Sequence, residues 1–114
     1  MADAILFIGW NRPQPGQEAK AMEFIAGDGL QYLKKLEGTY FERLEMIGLT
    51  AHGGDLNFAI ILHGSRAKLD ELRRTDEFEA FSFKIGSMVD RFGCVPGLSW
   101  EGIQKVMTRM RAQQ

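Results

Sequence analysis

The sequence contains one cysteine, three prolines and two histidines among 114 residues, and this scarcity excludes several kinds of site. A single cysteine, Cys94, can form neither an intrachain disulfide nor a metal cage built from several thiolates. The chain also lacks a phosphate-cradling P-loop, a dinucleotide-binding glycine fingerprint, a zinc-protease motif and a nucleophile elbow. We therefore expect no bound metal and no cofactor. Such cysteine usage is typical of a cytoplasmic protein.

An excess of charge of one sign and long apolar segments are missing as well. The 14 Lys and Arg residues nearly balance the 15 Asp and Glu residues, which leaves a formal net charge of −1. We therefore expect neither nucleic acid nor a membrane as a partner. The basic residues near the C-terminus, Lys105, Arg109 and Arg111, have the spacing of the solvated side of a helix. The apolar run at residues 4–10 is too short for a signal peptide or a membrane span.

The first third of the sequence predicts a strand followed by a helix. Residues 4–10 form a continuous apolar run, which predicts a strand that ends at the loop NRPQPG. From Glu18 to Leu36 the apolar residues recur at threes and fours, which predicts an amphipathic helix. Two glycines in the segment GDG weaken this helix, so we expect a kink or a restart there, with Asp28 as a local cap.

The rest of the sequence predicts a hairpin, a second helical segment, a short strand and a final helix. Residues 39–49 and 57–63 have strand character and are joined by the turn AHGGD. Each later helix is preceded by a residue that can cap its first turn. These caps are Ser65, Thr75 and Ser99, and the segment FGCV at residues 92–95 predicts a fourth strand.

The predicted order is β-α-β-β-α-β plus a terminal helix, in a single domain over residues 1–114. This is the split βαβ order of an α+β, ferredoxin-like fold with an antiparallel sheet. That topology places strands one and three in the middle of the sheet. These two strands are the uninterrupted apolar ones, whereas strand two carries Glu42, Arg43 and Glu45, as suits an edge strand.

The hairpin also predicts an assembly. With residues 53–54 as a two-residue turn, Leu44 lies beside His63 and Met46 beside Ile61 on one face of the sheet. In this register both faces are apolar. Right-handed crossovers put both helical segments on one side, so a single chain leaves the other face uncovered. We therefore expect a homodimer in which a second copy of the chain covers that face.

These features resemble the dimeric α/β-barrel superfamily, in which two ferredoxin-like chains join their sheets into a barrel. The resemblance rests on AILFIGW, the hairpin FERLEMIGLTAHGGDLNFAIILHG, and the segments RTDEFEAF and DRFGCVPG, and it covers nearly the whole chain. It implies a pocket between sheet and helices. Its members include cofactor-free monooxygenases, lactone isomerases, haem-degrading enzymes and stress-responsive proteins, so the fold alone does not fix a function.

His63 is the residue that we expect to be catalytic. It ends a central strand, where an imidazole can act as a general base or bind a polar ligand group. The alternative is a structural histidine that bonds to the turn at residues 64–65. His52 lies in the hairpin turn, where we expect it to be solvated. About 26 Å of strand separates the two histidines, so they cannot share a metal within one chain.

The pocket between sheet and helices is expected to be mostly apolar. Phe81 and Ile85 belong to a helical stripe that fits either the core or a pocket wall, and Trp10 fits either a ligand site or edge packing. Tyr40, expected on the face of His63, could supply a hydroxyl group. The residues expected to bind a ligand are Trp10, Asn11, Tyr40, Met46, Ile61, Phe81 and Ile85.

Two functions follow from this pattern, and the sequence does not decide whether the protein is an enzyme. The first is a homodimer that binds a small hydrophobic or aromatic molecule, or a fatty acyl chain, as a binding protein or as an enzyme without cofactor. The second is a non-catalytic interaction or stress-response module with a filled interior. A haem or flavin enzyme is a third reading. The haem-degrading relatives carry a haem-ligating histidine on the second helix, and residues 65–91 contain none.

Overall fold

The chain alternates strands and helices in the expected order. The computed structural model describes residues 2–50 and 52–113. Within these residues the strands are β1 (Ala4–Trp10), β2 (Arg43–Gly48), β3 (Phe58–Gly64) and β4 (Gly93–Leu98). The helical elements are α1 (Glu18–Phe24), a π-helical segment (Ile25–Gly29), α2 (Leu30–Leu36), α3 (Arg66–Arg73), α4 (Asp76–Gly86) and α5 (Trp100–Ala112). None of the helices in the described ranges has the length and apolar character needed to cross a bilayer.

The four strands form one antiparallel sheet in the order β2-β3-β1-β4. The two central strands are therefore β1 and β3, as their uninterrupted apolar sequences predict. Leu6 pairs with Leu62 and Ile8 with Ile60 across these strands, and all four side chains are buried. Since both neighbours of each central strand are strands, these residues are covered from the sides as well as by the helices.

The sheet has one covered face and one open face. Alternate residues of a strand point to opposite sides, and the side that carries Leu6, Ile8, Ile60 and Leu62 packs against the helices in one core. The helices contribute Ala21, Ile25, Leu33, Leu69, Leu72, Phe78, Phe81 and Ile85 to this core. The other side, here called the open face, carries Ile5, Phe7, Arg43, Glu45, Ile47, Ile61, His63 and Val95.

The three predicted helix caps are confirmed. The hydroxyl of Ser65 accepts a hydrogen bond from Lys68 N at 3.3 Å, and that of Thr75 accepts one from Phe78 N at 3.2 Å. Ser99 caps α5 in the same way. Each bond satisfies an amide that the first helical turn leaves without a partner.

The predicted kink in the first helix is also confirmed, although Asp28 does not cap it. Residues 18–36 are helical, and the interruption is a π-helical segment in which Gly27 departs from helical geometry with φ −107° and ψ −105°. The residue that precedes α2 is Gly29, without a side-chain cap bond. Gly29 is required by space, because a Cβ there would lie 2.9 Å from the carbonyl oxygen of Phe24.

The predicted hairpin register is wrong by one residue. His63 pairs with Arg43 rather than Leu44, and Met46 pairs with Ile60 rather than Ile61. A two-residue turn would continue the pairing as far as residues 52 and 55, but the pairing of β2 with β3 ends at Gly48 and Phe58, with one further bond from Leu49 N to Asn57 O. The connection instead occupies the residues between β2 and β3, and Ala51 of the predicted turn lies outside the described residues.

This shift changes which residues share a face, because side chains in a strand alternate. Met46 faces the helices, whereas Ile61 and His63 lie on the open face together with Glu45. Tyr40, expected on the face of His63, packs instead against the core on the helix side. The prediction that both faces carry apolar side chains holds in this register too, since Ile5, Phe7 and Ile61 lie on the open face.

The fourth strand is longer than predicted and contains a proline. β4 continues through Pro96 and Gly97 to Leu98, beyond the segment at residues 92–95. Pro96 pairs with Leu6 at the edge of the sheet. Proline is tolerated there because its missing N–H belongs to the outer side, where no further strand pairs.

Candidate functional site

Trp10 ends β1 and forms the inner wall of an apolar cavity. Its side chain is 2% exposed, and its ring stacks on that of Phe58, the first residue of β3, with 5.8 Å between centroids and 16° between planes. The backbone register explains this contact, since Trp10 and Phe58 pair directly across the sheet. Offset stacking of this kind favours a fixed ring orientation.

The cavity, here called the Trp10 cavity, has a volume of about 240 Å³ and lies between the helices and the end of the sheet where β1 and β2 finish. Its lining contains no charged or hydrogen-bonding side chain other than the indole of Trp10. Met22 and Met46 are each 45% exposed, and Ala26 is exposed as well, so solvent reaches the cavity past these side chains. The lining residues are Trp10, Met22, Ile25, Ala26, Leu30, Met46, Ile47, Gly48, Phe58 and Ala59.

The π-helical segment builds one side of this cavity. Ile25 and Ala26 belong to it, and Leu30 follows it directly. The backbone of Gly27 departs from helical φ and ψ, so the helix bends there and the residues that follow change direction relative to those that precede. The interruption at Gly27 therefore lets residues from both halves of the helix meet at the cavity.

The indole of Trp10 carries a buried polar group. Its Nε1 has no hydrogen-bond partner among the described residues and is shielded from solvent. An unpaired buried donor costs about 1–3 kcal/mol. Tyrosine and tryptophan usually find a partner for this group when they are buried, so the unpaired N–H is unusual in a wall that is otherwise apolar.

His63 lies on the open face, not in the Trp10 cavity. It is at the opposite end of β3 from Phe58, and its side chain is 17% exposed. Its Nε2 lies 2.8 Å from Glu45 Oε1, and its Nδ1 lies 3.4 Å from Arg43 Nη2. Arginine can only donate, so Nδ1 is the acceptor and Nε2 carries the proton that it donates to Glu45.

In the cluster of His63, Arg43 and Glu45, the two neighbours of the carboxyl group of Glu45 lower its pKa. The hydrogen bond from His63 is the main influence that holds the pKa of Glu45 below its usual range, and the charge of Arg43 acts in the same direction. Glu45 also lies 3.4 Å from Arg43 Nη1. Both nitrogens of His63 are therefore engaged by side chains of β2, so this imidazole has no free lone pair in the structure.

The structure separates the two histidines, as the sequence predicts. His52 lies in the connection before β3, where its Nδ1 accepts a hydrogen bond from Gly54 N at 3.1 Å and its Nε2 lies 2.8 Å from the carbonyl oxygen of Leu56. It is exposed, but both of its ring nitrogens have partners within the loop. Within residues 2–50 and 52–113, no group of three or more His, Cys, Asp and Glu side chains is arranged to hold a metal.

The structure brings together two of the residues expected to bind a ligand, Trp10 and Met46. Asn11 is next to Trp10, but its side-chain oxygen accepts a hydrogen bond from Asn57. Phe81 and Ile85 lie in the core, 6% and 0% exposed, and Phe81 packs against three aromatic rings, those of Phe24, Tyr32 and Phe78. The remaining two, Tyr40 and Ile61, lie on opposite sides of the sheet.

Sequence reasoning missed several residues of these sites. On the open face it missed Glu45 and Arg43 as partners of His63, because the predicted register placed Leu44 there. A signal was present, since a shift of one residue brings all three polar side chains to one face. In the cavity it missed the eight other lining residues, Met22, Ile25, Ala26, Leu30, Ile47, Gly48, Phe58 and Ala59.

Comparison with solved structures identifies the architecture. A dimeric protein of ferredoxin-like fold and unknown function from Bacteroides fragilis superposes with a TM-score of 0.58. The match covers 84% of this chain and 96% of that chain, at 10% sequence identity. The fold is ferredoxin-like.

At this identity the likeness concerns the backbone arrangement alone. No protein-family model matches the sequence, and no curated protein is similar to it. The ferredoxin-like domain therefore presents two separate features, the Trp10 cavity on the helix side and the His63 cluster on the open face.

Proposed function

We propose that this domain binds a small apolar molecule in the Trp10 cavity. The observation that carries the proposal is the cavity lining, which is apolar throughout and includes the stacked rings of Trp10 and Phe58. Met22 and Met46, both substantially exposed, supply flexible side chains that adapt to the shape of a ligand. Binding pockets for small molecules are typically apolar and largely preformed.

The volume limits the size of the ligand. A cavity of roughly 150 Å³ with an apolar lining accepts benzene, so the observed volume of about 240 Å³ suits about ten non-hydrogen atoms. A substituted single ring or a short acyl chain has this size. Burying about 200 Å² of such a ligand contributes about 5 kcal/mol, which corresponds to a Kd of about 0.2 mM.

Titration followed by NMR tests this proposal. Indole, toluene and hexanoic acid are added separately to ¹⁵N-labelled protein, and the indole N–H signal of Trp10 reports on the cavity. We expect saturable shifts at Trp10 and at the amides of the lining residues. If none of the three probes shifts these signals, the apolar-ligand proposal is wrong and a module with a filled interior is favoured.

A matched pair of variants assigns the binding to the cavity. Ala26 lines the cavity, whereas Ala19 is an exposed residue of α1 that does not. Ala26→Leu adds three carbons to the wall, so we expect it to weaken binding at least about tenfold through lost ligand burial. Ala19→Leu makes the same chemical change in α1, within the same helical stretch of residues 18–36, and should leave Kd unchanged. Equal affinities for the two variants would place the ligand elsewhere.

We also propose that the domain is a homodimer whose copies cover each other's open face. Ile5, Phe7, Ile47 and Ile61 form an apolar area there, next to Val95, which is 56% exposed. A continuous apolar area formed by several neighbouring side chains on the surface of a domain usually marks an interaction site. The similar structure from Bacteroides fragilis, described as dimeric, supports the proposal.

Sedimentation velocity over a range of concentrations tests the dimer. Val95→Asp places a charge on the open face, at a position exposed enough to tolerate it in a single chain. We expect it to shift the protein toward the monomer. Ala80→Asp, on the exposed side of α4, adds the same charge and should sediment like the parent protein. A parent protein that is monomeric at all concentrations would contradict the proposal.

A further inference from the structure

Helix α5 is oriented against the usual rule for an amphipathic helix, which buries its apolar side against its own domain. Gly102 is the buried residue of α5, and it lies against the backbone at Asp3. Lys105 Nζ pairs with Asp3 Oδ2 at 3.2 Å, and Ser99 Oγ donates to the carbonyl oxygen of Ala2 at 2.8 Å. The side of α5 that meets its own domain therefore consists of Gly102 and these polar contacts, with the half-buried Val106 one turn further on.

The groove beside this contact has the same character. It measures about 770 Å³, and charged side chains, including Arg66, Lys105, Arg109 and Glu101, contribute to its lining. These charged side chains line the groove together with Leu98 and Gly102, and none of the apolar side chains of α5 is among its lining residues. The apolar residues of α5 are consequently left on the outside.

These apolar residues form a continuous line, here called the outer stripe. They follow one another at intervals of three, four and three residues, which places them on one side of a helix. Intervals of this kind are those of a seam between paired helices. The outer stripe consists of Trp100, Ile103, Met107 and Met110, which are 62%, 38%, 40% and 57% exposed.

We infer that a second copy of this chain covers the outer stripe in the dimer, so that α5 forms part of the interface. The inference rests on the proposed dimer and extends it beyond the sheet. Four strands about 4.8 Å apart and about seven residues long give an open face of roughly 450 Å². A stable interface buries about 800 Å² on each partner, so the sheet face alone falls short.

The outer stripe supplies the missing area. Its four side chains expose on the order of 400 Å², to which Trp100 contributes about 150 Å². The sum of the two surfaces reaches the size that a stable dimer needs. The molecule also measures 54 Å along its longest axis but 18 Å along its shortest, the elongated shape expected of a domain with a projecting arm.

A membrane surface fits this helix less well than a second copy does. Helices that lie on anionic membranes direct Lys and Arg to the headgroups beside the inserted apolar side. Of the three basic residues in α5, Lys105 is paired with Asp3 and Arg109 lines the groove on the inner side, which leaves Arg111 alone beside the outer stripe. The chain as a whole has a formal net charge of −1, so it provides no general attraction to such a membrane.

The test compares two neighbouring residues of α5 in the chain of residues 1–114. Met107→Glu places a carboxylate in the outer stripe, at a position already 40% exposed in a single chain. Thr108→Glu places the same group on the adjacent exposed position outside the stripe. Because a symmetric dimer carries each change twice, we expect Met107→Glu to raise the dimer Kd at least about 30-fold. Thr108→Glu should change it less than about threefold.

The open-face variant Val95→Asp separates the two proposals. If Val95→Asp weakens the dimer while Met107→Glu matches the parent protein, the dimer stands and the role of the outer stripe is overturned. If the parent protein never dimerises, the sheet proposal fails and this inference fails with it. Binding of the parent protein to phosphatidylglycerol vesicles that Met107→Glu abolishes, with an unchanged dimer Kd, would also overturn the inference in favour of a membrane surface.

Discussion

Gly102→Ala is the sharpest test of how α5 joins the domain, because two physical effects act in opposite directions. Alanine stabilises a helix by about 1 kcal/mol relative to glycine. A Cβ at this position, however, would overlap the carbonyl oxygen of Asp3 and lie 3.3 Å from Leu98 Cβ. The obstacle is the backbone of Asp3, directly before β1, and this backbone cannot move without disturbing the sheet. Helix α5 must therefore move instead.

The contacts that such a movement breaks set the magnitude. They are the hydrogen bond from Ser99 Oγ to Ala2 O, the bond from Ser99 N to Asp3 O, and the ion pair of Lys105 with Asp3. Each hydrogen bond contributes about 1 kcal/mol, and this largely exposed ion pair contributes about 0.5 kcal/mol. After the gain in helix propensity is subtracted, we expect a net loss of about 1–2 kcal/mol.

Urea unfolding measured by circular dichroism gives this free energy, and amide hydrogen exchange over residues 99–112 shows whether α5 has loosened. Gly86→Ala is the control, because a Cβ there meets Phe92 at an ordinary 3.7 Å and the glycine ends a helix. It should be neutral or stabilising by up to about 1 kcal/mol. Equal or greater stability of Gly102→Ala would refute the close approach of α5 to the strand.

Three further predictions concern the core, the open face and the thiol. Ile85→Ala removes a fully buried side chain, so urea unfolding should show a loss of about 2–5 kcal/mol; a loss below about 1 kcal/mol would mean that this site is not packed. Because the hydrogen bond from His63 lowers the pKa of Glu45, this carboxylate stabilises the fold above the unfolded-state pKa of about 4.3, and the contribution is lost as pH falls through the lowered value. In an NMR titration, His63→Ala should raise the pKa of Glu45 while His52→Ala leaves it unchanged, and the same effect from both variants would contradict the assignment. Burial raises the pKa of the Cys94 thiol, so its reaction with a disulfide reagent at neutral pH should be slow in the folded protein and fast in urea.

The sequence predicted the architecture because several independent signals agreed. The apolar continuity of residues 4–10 and 57–63 identified the central strands, and the caps Ser65, Thr75 and Ser99 marked where helices begin. These are local properties, set by a few neighbouring residues, and they point to the same topology. Agreement between local preference and global fold is what makes such a prediction dependable.

The turn residues did not determine the hairpin register in the same way. Gly53 and Gly54 have conformational freedom enough for a two-residue turn, and the sequence does not show that the connection instead begins after the bond between Leu49 and Asn57. This connection contains the hydrogen bonds that the side chain of His52 makes within the loop. The shift of one residue replaces Leu44 by Arg43 opposite His63 and brings Glu45 to the same face.

The Trp10 cavity was predicted only in outline. Trp10 and Met46 were named, but the helical residues that complete the lining depend on the π-helical segment. Glycines at residues 27 and 29 predict an interruption without specifying the backbone angles at the bend. The rotation of Ala26 and Leu30 toward the sheet is thus a property of the folded helix and not of the hydrophobic period.

Pro96 has a consequence for how copies of this protein accumulate. Sheets grow into fibrils when a strand of one molecule continues the ladder of the next, which requires a full row of N–H and C=O groups along the rim. The proline removes one of these N–H groups from the outer rim of β4. Polymerisation by strand addition is therefore disfavoured along that rim, while stacking of one sheet on another is left unhindered.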